Sequence, residues 1–367
     1  MSKKKIVIAV GGSGGHLFPA QSLAEDLMKQ SGAFDLVFAG AGLSTNRYFH
    51  KLKYTYREVK SATPFKRSVK AISQSLWTLS LGIWQSLRIL NEIKPDLVIG
   101  FGSFHSFPLL VAACIKRIPL VLFESNAIPG KVNRLCSYFS KLTAIHFSDA
   151  KAFLKGTVVE VKMPIKERRE LSFDAARVHF NLAPNIPTLL VFGGSQGSSA
   201  INEMFLKVAE EMQAKNIPFQ VIHLTGKVAS AQEIALKYQE LNIPSYVRDF
   251  ESEMDTCYAA ATLAISRSGA VTLSELIAFE LPSILIPYPH AADNHQTKNA
   301  QFLRDQIRGG VYFEEKELHA ELLKSEVISL LDSVSLKHHK MKNALREFKS
   351  KDQKKDLCTV ICELIKR

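Results

Sequence analysis

Twice along this 367-residue chain a short apolar run ends directly in a glycine loop that opens a helix. Residues 6–10 run into Gly11-Gly12-Ser13-Gly14-Gly15-His16, and residues 188–192 run into Gly193-Gly194-Ser195-Gln196-Gly197 half a chain later. Strand, glycine loop and helix in that order open a nucleotide-fold α/β domain, because the loop lets backbone N–H groups at the helix start approach an anion. Two such openings predict two Rossmann-like domains with parallel sheets, facing each other across a cleft. The length agrees, since one core rarely serves more than about 250–300 residues. The expected domains are residues 1–163 and 164–349, joined at Met163-Pro164-Ile165-Lys166, with a C-terminal helix within 350–367 folding back on the first.

Neither loop carries a dinucleotide or triphosphate signature. Leu17 takes the place of the third glycine, the second strand at 35–39 is not followed by an acidic residue, and no G-x-x-x-x-G-K-[ST] occurs. Helical spacing starts at Leu17 and places Leu23, Ala24 and Leu27 on one face. Two more strands, 96–100 and 118–123, end in the polar loops 100–106 and 124–130. Ligands of open α/β sheets lie beyond the carboxyl ends of the strands, so loops 11–16, 100–106 and 124–130 are expected on one rim. His16 stands where the helix begins. The positive dipole end disfavours imidazolium there, so His16 reads either as a neutral proton acceptor or as a histidine that caps the helix.

Residues 266–300 hold the densest group of uncharged polar side chains. An apolar run at 263–265 meets Arg267-Ser268-Gly269, a helix covers 271–279, and a second run at 283–286 ends in Pro287-Tyr288-Pro289-His290. Free N–H groups at the helix start, with Arg267 beside Gly269, suggest a seat for a phosphate or diphosphate. Glu275 cannot usefully face that anion and suits a neutral diol, such as ribose, a turn away. Asp293, His295, Gln296 and Asn299 are of the types that read sugar hydroxyls. A polar loop capping an ordinary crossover has the same appearance. The spacing of His290, Asp293 and His295 fits no metal pattern, and no metal is expected.

The formal charge of +12 is concentrated. Residues 337–367 hold ten Lys/Arg against four Asp/Glu, and residues 60–94 hold six against one. Such patches suit an anionic partner, nucleic acid or acidic lipid. Aromatic residues are not interleaved with the C-terminal lysines, which argues against nucleic acid. In the second basic stretch Val69, Ile72, Leu76, Leu79, Ile83, Leu87 and Leu90 follow helical spacing and predict a face docked on the sheet. Trp77, Trp84 and Leu81 widen that arc, and Phe65, Lys66, Arg67 and Lys70 flank its start. The helix either lies in a membrane interface or is buried on both sides. The five cysteines form no C-x-x-C pair, which suits free thiols in a reducing compartment. The N-terminal apolar run is too short for an export signal, and no run of 18 apolar residues predicts a membrane span.

Taken in order, Gly11–His16 with Pro19, Gly100–Ser103, Glu124–Gly130, Gly193–Gly197, Arg267–Glu275 and Asp293–Ala300 make the chain resemble the MurG family over essentially its whole length. The resemblance implies a GT-B fold and an inverting, metal-independent, cofactor-free transfer. N-acetylglucosamine would pass from UDP to the 4-hydroxyl of N-acetylmuramoyl-pentapeptide on undecaprenyl diphosphate, in peptidoglycan synthesis. It places the donor in the second domain, with Ser195 and Gln196 on the diphosphate, Arg267, Ser268 and Gly269 helping to hold it, Glu275 on the ribose diol, and Gln296 and Asn299 on the sugar. The first domain would take the acceptor through Ser13, Gly14, Gly15, His16, Asn126 and Lys166, with His16 and Asn126 at the reacting hydroxyl. Phe65, Lys66, Arg67, Trp77, Leu81 and Trp84 would touch an anionic membrane, on the cytoplasmic face of a bacterial inner membrane. Cell-wall or division machinery would be further partners.

The sequence departs from the family in three places. Met163-Pro164-Ile165-Lys166 replaces Asn-Pro-Val-Arg, and a lysine cannot fork onto two oxygens. Glu124-Ser125-Asn126 replaces Glu-Gln-Asn, and Phe104 stands for tyrosine. The competing readings are another GT-B enzyme, such as a glycolipid transferase or a UDP-sugar 2-epimerase, and a nucleic-acid-binding module.

Overall fold

Parallel strands are covered by helices on both faces and therefore read as unbroken apolar runs. The run Lys4–Ala9 (β1) is such a strand, buried from Ile6 onward. The computed structural model describes residues 3–30, 32–65, 68–166, 171–331 and 335–366. It divides into unit 1, Met1–Lys166 with Gln353–Arg367, and unit 2, Glu167–Asp352.

In unit 1, β1 is followed by α1 (Gly14–Met28), β2 (Phe34–Gly40), β3 (Tyr56–Glu58), α2 (Val69–Ile93) and β4 (Leu97–Gly100). Then come α3 (Phe107–Ile115), β5 (Leu120–Glu124), α4 (Lys131–Cys136), β6 (Leu142–Ile145) and β7 (Val158–Glu160). The sheet is parallel with order β3-β2-β1-β4-β5-β6-β7, so the strand order reverses between β1 and β4. Unit 2 runs α5 (Phe173–His179), β8 (Thr188–Phe192), α6 (Ser199–Ala214), β9 (Gln220–Leu224), α7 (Ala231–Glu240), β10 (Ser245–Arg248) and α8 (Met254–Ala260). It continues through β11 (Leu263–Ser266), α9 (Ala270–Ala278), β12 (Ser283–Leu285), α10 (His295–Gln301), β13 (Gly310–Tyr312), α11 (Ala320–Leu331) and α12 (Leu336–Lys351). Its parallel sheet has order β10-β9-β8-β11-β12-β13 and reverses between β8 and β11. The chain then returns to unit 1. Lys355 bridges Val161 as a parallel partner, and α13 (Leu357–Lys366) buries Leu357, Cys358, Val360 and Ile361.

Two expectations are corrected, and one strand is added. Helix α1 starts at Gly14, ahead of Leu17, because the Ser13 carbonyl accepts from the N–H groups of His16 (3.1 Å) and Leu17 (3.2 Å). The apolar spacing that marked the start at Leu17 is blind to a first turn made of glycines. Strand β3 escaped notice because it is a short edge strand with little burial. The docked stripe of α2 is Ser75, Leu79, Gly82, Ser86 and Leu90, while Val69 and Leu76 face water. Small residues make this stripe because the helix runs close to its neighbours: a Cβ on Gly82 would stand 1.9 Å from the Lys60 carbonyl oxygen and 3.1 Å from Pro108. Burying Leu79 and Leu90 supplies about 1.5–3 kcal/mol each, and the small residues let them reach.

Candidate active site

In open α/β sheets the reversal of strand order opens a crevice at the carboxyl ends of the strands. In unit 2 that point lies between the loops following β8 and β11. The β8 loop is shaped by backbone packing. Gly197 (φ +85°) bridges Gly226, and a Cβ on it would come 2.5 Å from the Thr225 carbonyl oxygen. Beneath it, Asn202 donates to that same Thr225 carbonyl (2.9 Å). His223 contacts Asn202 Oδ1 (3.1 Å) and the Tyr238 hydroxyl (2.7 Å), and burial pushes its pKa down to about 3, so it stays neutral. At the tip, Ser195 is half-buried and Gln196 exposed, and among the described residues nothing stands within 4 Å of the Gly194 Cβ position.

Arg267 ties these loops together. Its Nη1 donates to the carbonyls of Ile286 and Pro287 (3.1 Å each), and its Nη2 donates to Ser198 Oγ (2.7 Å) and pairs with Glu315 (2.6 Å). Ser198 is the N-cap of α6 and also accepts from the Ile201 N–H. The buried guanidinium thus staples the loops after β8, β11, β12 and β13. Its geometry is that of a brace for these loops, with these donors turned into unit 2.

Next to it, Gly269 caps α9 with only Thr272 Oγ1, at 3.8 Å, near its Cβ position among the described residues. The Ser268 hydroxyl donates to the Gln296 carbonyl (2.8 Å), and Asn299 Nδ2 donates to the Ser268 carbonyl (3.1 Å). Gln296 Oε1 accepts from the Tyr288 N–H (3.0 Å). Asp293 and Asn294 both take left-handed backbone at the start of α10, and His295 Nδ1 donates to the Ala292 carbonyl (2.8 Å). Ser268, Gln296 and Asn299 are therefore one hydrogen-bonded group with the α9 N-terminus, and Asp293 stays exposed beside it.

Glu275, on α9, is half-buried and accepts from the Tyr258 hydroxyl at Oε2 (2.8 Å). Burial raises its pKa to about 7; the Tyr258 hydrogen bond opposes this and the Asp255 charge adds to it.

In unit 1 the reversal falls between the loops after β1 and β4. Gly11 and Gly12 lie against His105 and Ser103, and Asn46 Nδ2 donates to the Gly12 carbonyl (2.6 Å). His16 Nδ1 stands 2.8 Å from the Phe101 carbonyl, which can only accept, so Nδ1 carries the proton and Nε2 is the basic nitrogen. Ser13 and Gly15 are exposed at the helix start, and Gly14 is buried under Phe18. The third loop is organised by buried Glu124. Oε1 accepts from the backbone N–H (2.9 Å) and Nδ2 (3.2 Å) of Asn126, and Oε2 accepts from the Gly130 N–H (3.0 Å) and Asn133 Nδ2 (2.9 Å). Asn133 in turn abuts Gly102 of the second loop. Lys166 is exposed where the first segment of unit 1 ends.

Along α2, Trp77 is 74% and Trp84 47% exposed, Leu81 is half-buried, and Phe65 ahead of the helix is 61% exposed. A helix buried on both sides is thereby excluded. Arg88 stacks on Trp84 (3.5 Å) and Lys131 on Phe65 (4.1 Å). Lys66 and Arg67 lie outside the described residues. Sequence reasoning missed Tyr258, Asp255, Ser198, Glu315 and Gly226. Of these, Gly226 at the end of a strand carried a readable signal. Among the described residues, no group of three or more His, Cys, Asp or Glu is placed to hold a metal, and no helix is long and apolar enough to cross a membrane.

The model of the glycosyltransferase family 28 N-terminal domain matches residues 6–145, and that of the family 28 C-terminal domain matches residues 188–357. The UDP-N-acetylglucosamine–N-acetylmuramyl-(pentapeptide) pyrophosphoryl-undecaprenol N-acetylglucosamine transferase of Protochlamydia amoebophila is 40% identical over 98% of this chain and 96% of its own length. The protein of that name from Chlamydia muridarum is 33% identical over 99% of each chain. Among solved structures, MurG of Acinetobacter baumannii matches with a TM-score of 0.72 at 23% identity, covering 99% of both chains. Medicago truncatula UGT71G1 complexed with UDP-glucose matches with a TM-score of 0.69 at 11% identity, covering 99% and 98%. These likenesses give the two parallel-sheet units a GT-B fold. With both family models matched and a relative this similar along nearly its full length, the chain belongs to the MurG family of glycosyltransferases.

Proposed function

We propose that the protein transfers N-acetylglucosamine from UDP to the 4-hydroxyl of undecaprenyl-diphosphate-linked N-acetylmuramoyl-pentapeptide. Unit 2 takes the donor and unit 1 the acceptor. The observation that carries the donor side is the stapling of two helix N-termini by one buried arginine. Arg267 binds the N-cap of α6 and lies just before the N-cap of α9. Space opens at Gly194 and Gly269. Backbone N–H groups there, with Ser195 and Gln196, neutralise the diphosphate, and no ion is needed. Glu275 takes the ribose diol, and Gln296 with Asn299 shapes the sugar pocket.

In the transfer, the acceptor oxygen forms a bond to C1 of the sugar while the C1–O bond to the diphosphate breaks, and UDP leaves with the electron pair. The hydroxyl proton goes to Nε2 of His16, whose Nδ1–H stays on the Phe101 carbonyl. Asn126, oriented by Glu124, steadies the acceptor, whose diphosphate meets the glycine loop at α1 and the Lys166 ammonium. The exposed aromatic face of α2 brings unit 1 to an anionic membrane surface, where a lipid-linked acceptor resides.

The test is transfer of labelled N-acetylglucosamine from its UDP donor to a short-chain lipid I analogue in excess chelator. Product formation that persists with chelator and falls about 10²–10⁴-fold in His16→Ala supports the reading. Epimerised donor without acceptor, or product only with added metal, overturns it.

A further inference from the structure

We propose that Tyr258 is a positioning residue for the donor site: it holds Glu275 as the carboxylate that takes the ribose diol and sets the pH at which unit 2 accepts a uridine diphosphate sugar. The proposal rests on the donor reading above.

The Tyr258 ring is buried and clamped between Phe192 at the end of β8 (6.0 Å, edge-on) and Phe279 at the end of α9 (5.4 Å). Its hydroxyl can therefore point little elsewhere than at Glu275 Oε2, 2.8 Å away. Among the described residues Oε1 takes no hydrogen bond, which leaves it to a ligand hydroxyl. The phenol thus divides the carboxylate into a held oxygen and a reading oxygen. The charged groups around α9 are disposed unevenly. Asp255, on the same helix as Tyr258, disfavours the ionised form, and so does burial, whereas the Tyr258 hydrogen bond favours it. On α12, Arg346 and Lys349 are paired with Glu280 at the far end of α9, and on α10 His295 is turned to Ala292. Among the described residues, then, the Tyr258 hydroxyl is the group whose contact favours the ionised form of Glu275. A carboxylate accepts from both hydroxyls of a diol; once protonated, it loses one acceptor site.

The experiment is calorimetric titration of the full chain with UDP-N-acetylglucosamine between pH 6 and 8.5. The doubly esterified diphosphate of this probe does not change charge in that range. A carboxyl titrating near 7 predicts an affinity that rises about tenfold from pH 6 to 8. Glu275→Gln should give a flat profile at lower affinity. Tyr258→Phe should move the midpoint up by about one pH unit, because a charge-assisted hydrogen bond is lost. A role in folding alone would not move that midpoint. The 2′,3′-dideoxy analogue should bind the wild type without pH dependence. A Tyr258→Phe profile superimposed on the wild type, or a flat wild-type profile, overturns the proposal while the donor reading stands. Unchanged affinity in Glu275→Gln overturns the donor reading itself. If Tyr258→Phe fails to fold, 3-fluorotyrosine at position 258, a near-isosteric and stronger donor to Glu275 Oε2, should move the midpoint down, and an unmoved midpoint overturns the proposal.

Discussion

The two units open with the same strand, glycine loop and helix, yet they treat charge and apolar surface in opposite ways. Unit 2 buries cations: Arg267 within the rim, Arg177 against the carbonyls of Ala260 and Pro184, and Lys324 between Glu211 and Glu321. Unit 1 leaves Phe65, Val69, Leu76, Trp77 and Trp84 in water along one helix and its approach. Charge taken out of water is costly unless its partners are fixed, so the unit 2 rim is preorganised. Apolar surface left in water has the opposite meaning, a face awaiting a partner. The same opening motif therefore leads to a braced rim in one unit and an exposed apolar face in the other.

The sharpest way to break this contrast is Arg267→Ala. It strands Glu315 and two carbonyls, and about 3–5 kcal/mol of stability should go. Adding Glu315→Ala should restore part of it, measured by denaturant unfolding; equal midpoints for single and double variants would show that the pair is not coupled. Next in size is a comparison of glycines. Gly197→Ala must displace backbone, while Gly12→Ala (φ +87°) meets the His105 ring, which can turn. The first should cost about 2–4 kcal/mol and the second nearer 1. A larger loss at Gly12 would reverse the assignment of which rim is rigid.

Glu275→Gln should act with the other sign. The folded pKa, about 7, lies above the ordinary carboxylate value. The unfolded chain therefore ionises first, and this group lowers stability progressively as pH rises from the ordinary value through 7. The variant should be more stable than the wild type by about 1–3 kcal/mol at pH 8 and similar to it near pH 5. Thermal melts at the two pH values check this, and a variant less stable at pH 8 contradicts it. The smallest effect on folding belongs to Trp77→Ser combined with Trp84→Ser. Stability should change by less than about 1 kcal/mol, while sedimentation with vesicles containing phosphatidylglycerol is lost. Unaltered vesicle binding would leave unit 1 without its docking face.

Much of the scaffold was legible because β1, β5 and β8 are apolar runs that end in polar or glycine loops. Strand β3 offered no such signal. The buried stripe of α2 was misplaced because Ser75, Gly82 and Ser86 dock by being small, and hydrophobic periodicity does not count them. In the rim, residue type named Arg267 and Glu275 but could not say which way they face. An arginine that suits a phosphate suits two carbonyls and a carboxylate equally well. Tyr258 was invisible because its tie to Glu275 crosses from one helix to another and follows no short motif.

The most direct measurement is calorimetric binding of UDP-N-acetylglucosamine to the full chain in excess chelator, repeated with added magnesium, for wild type, Glu275→Ala and His16→Ala. The predicted result is one site, unaffected by magnesium, weakened by Glu275→Ala and retained in His16→Ala. Binding that appears only with magnesium, or that is lost in His16→Ala and kept in Glu275→Ala, would contradict it.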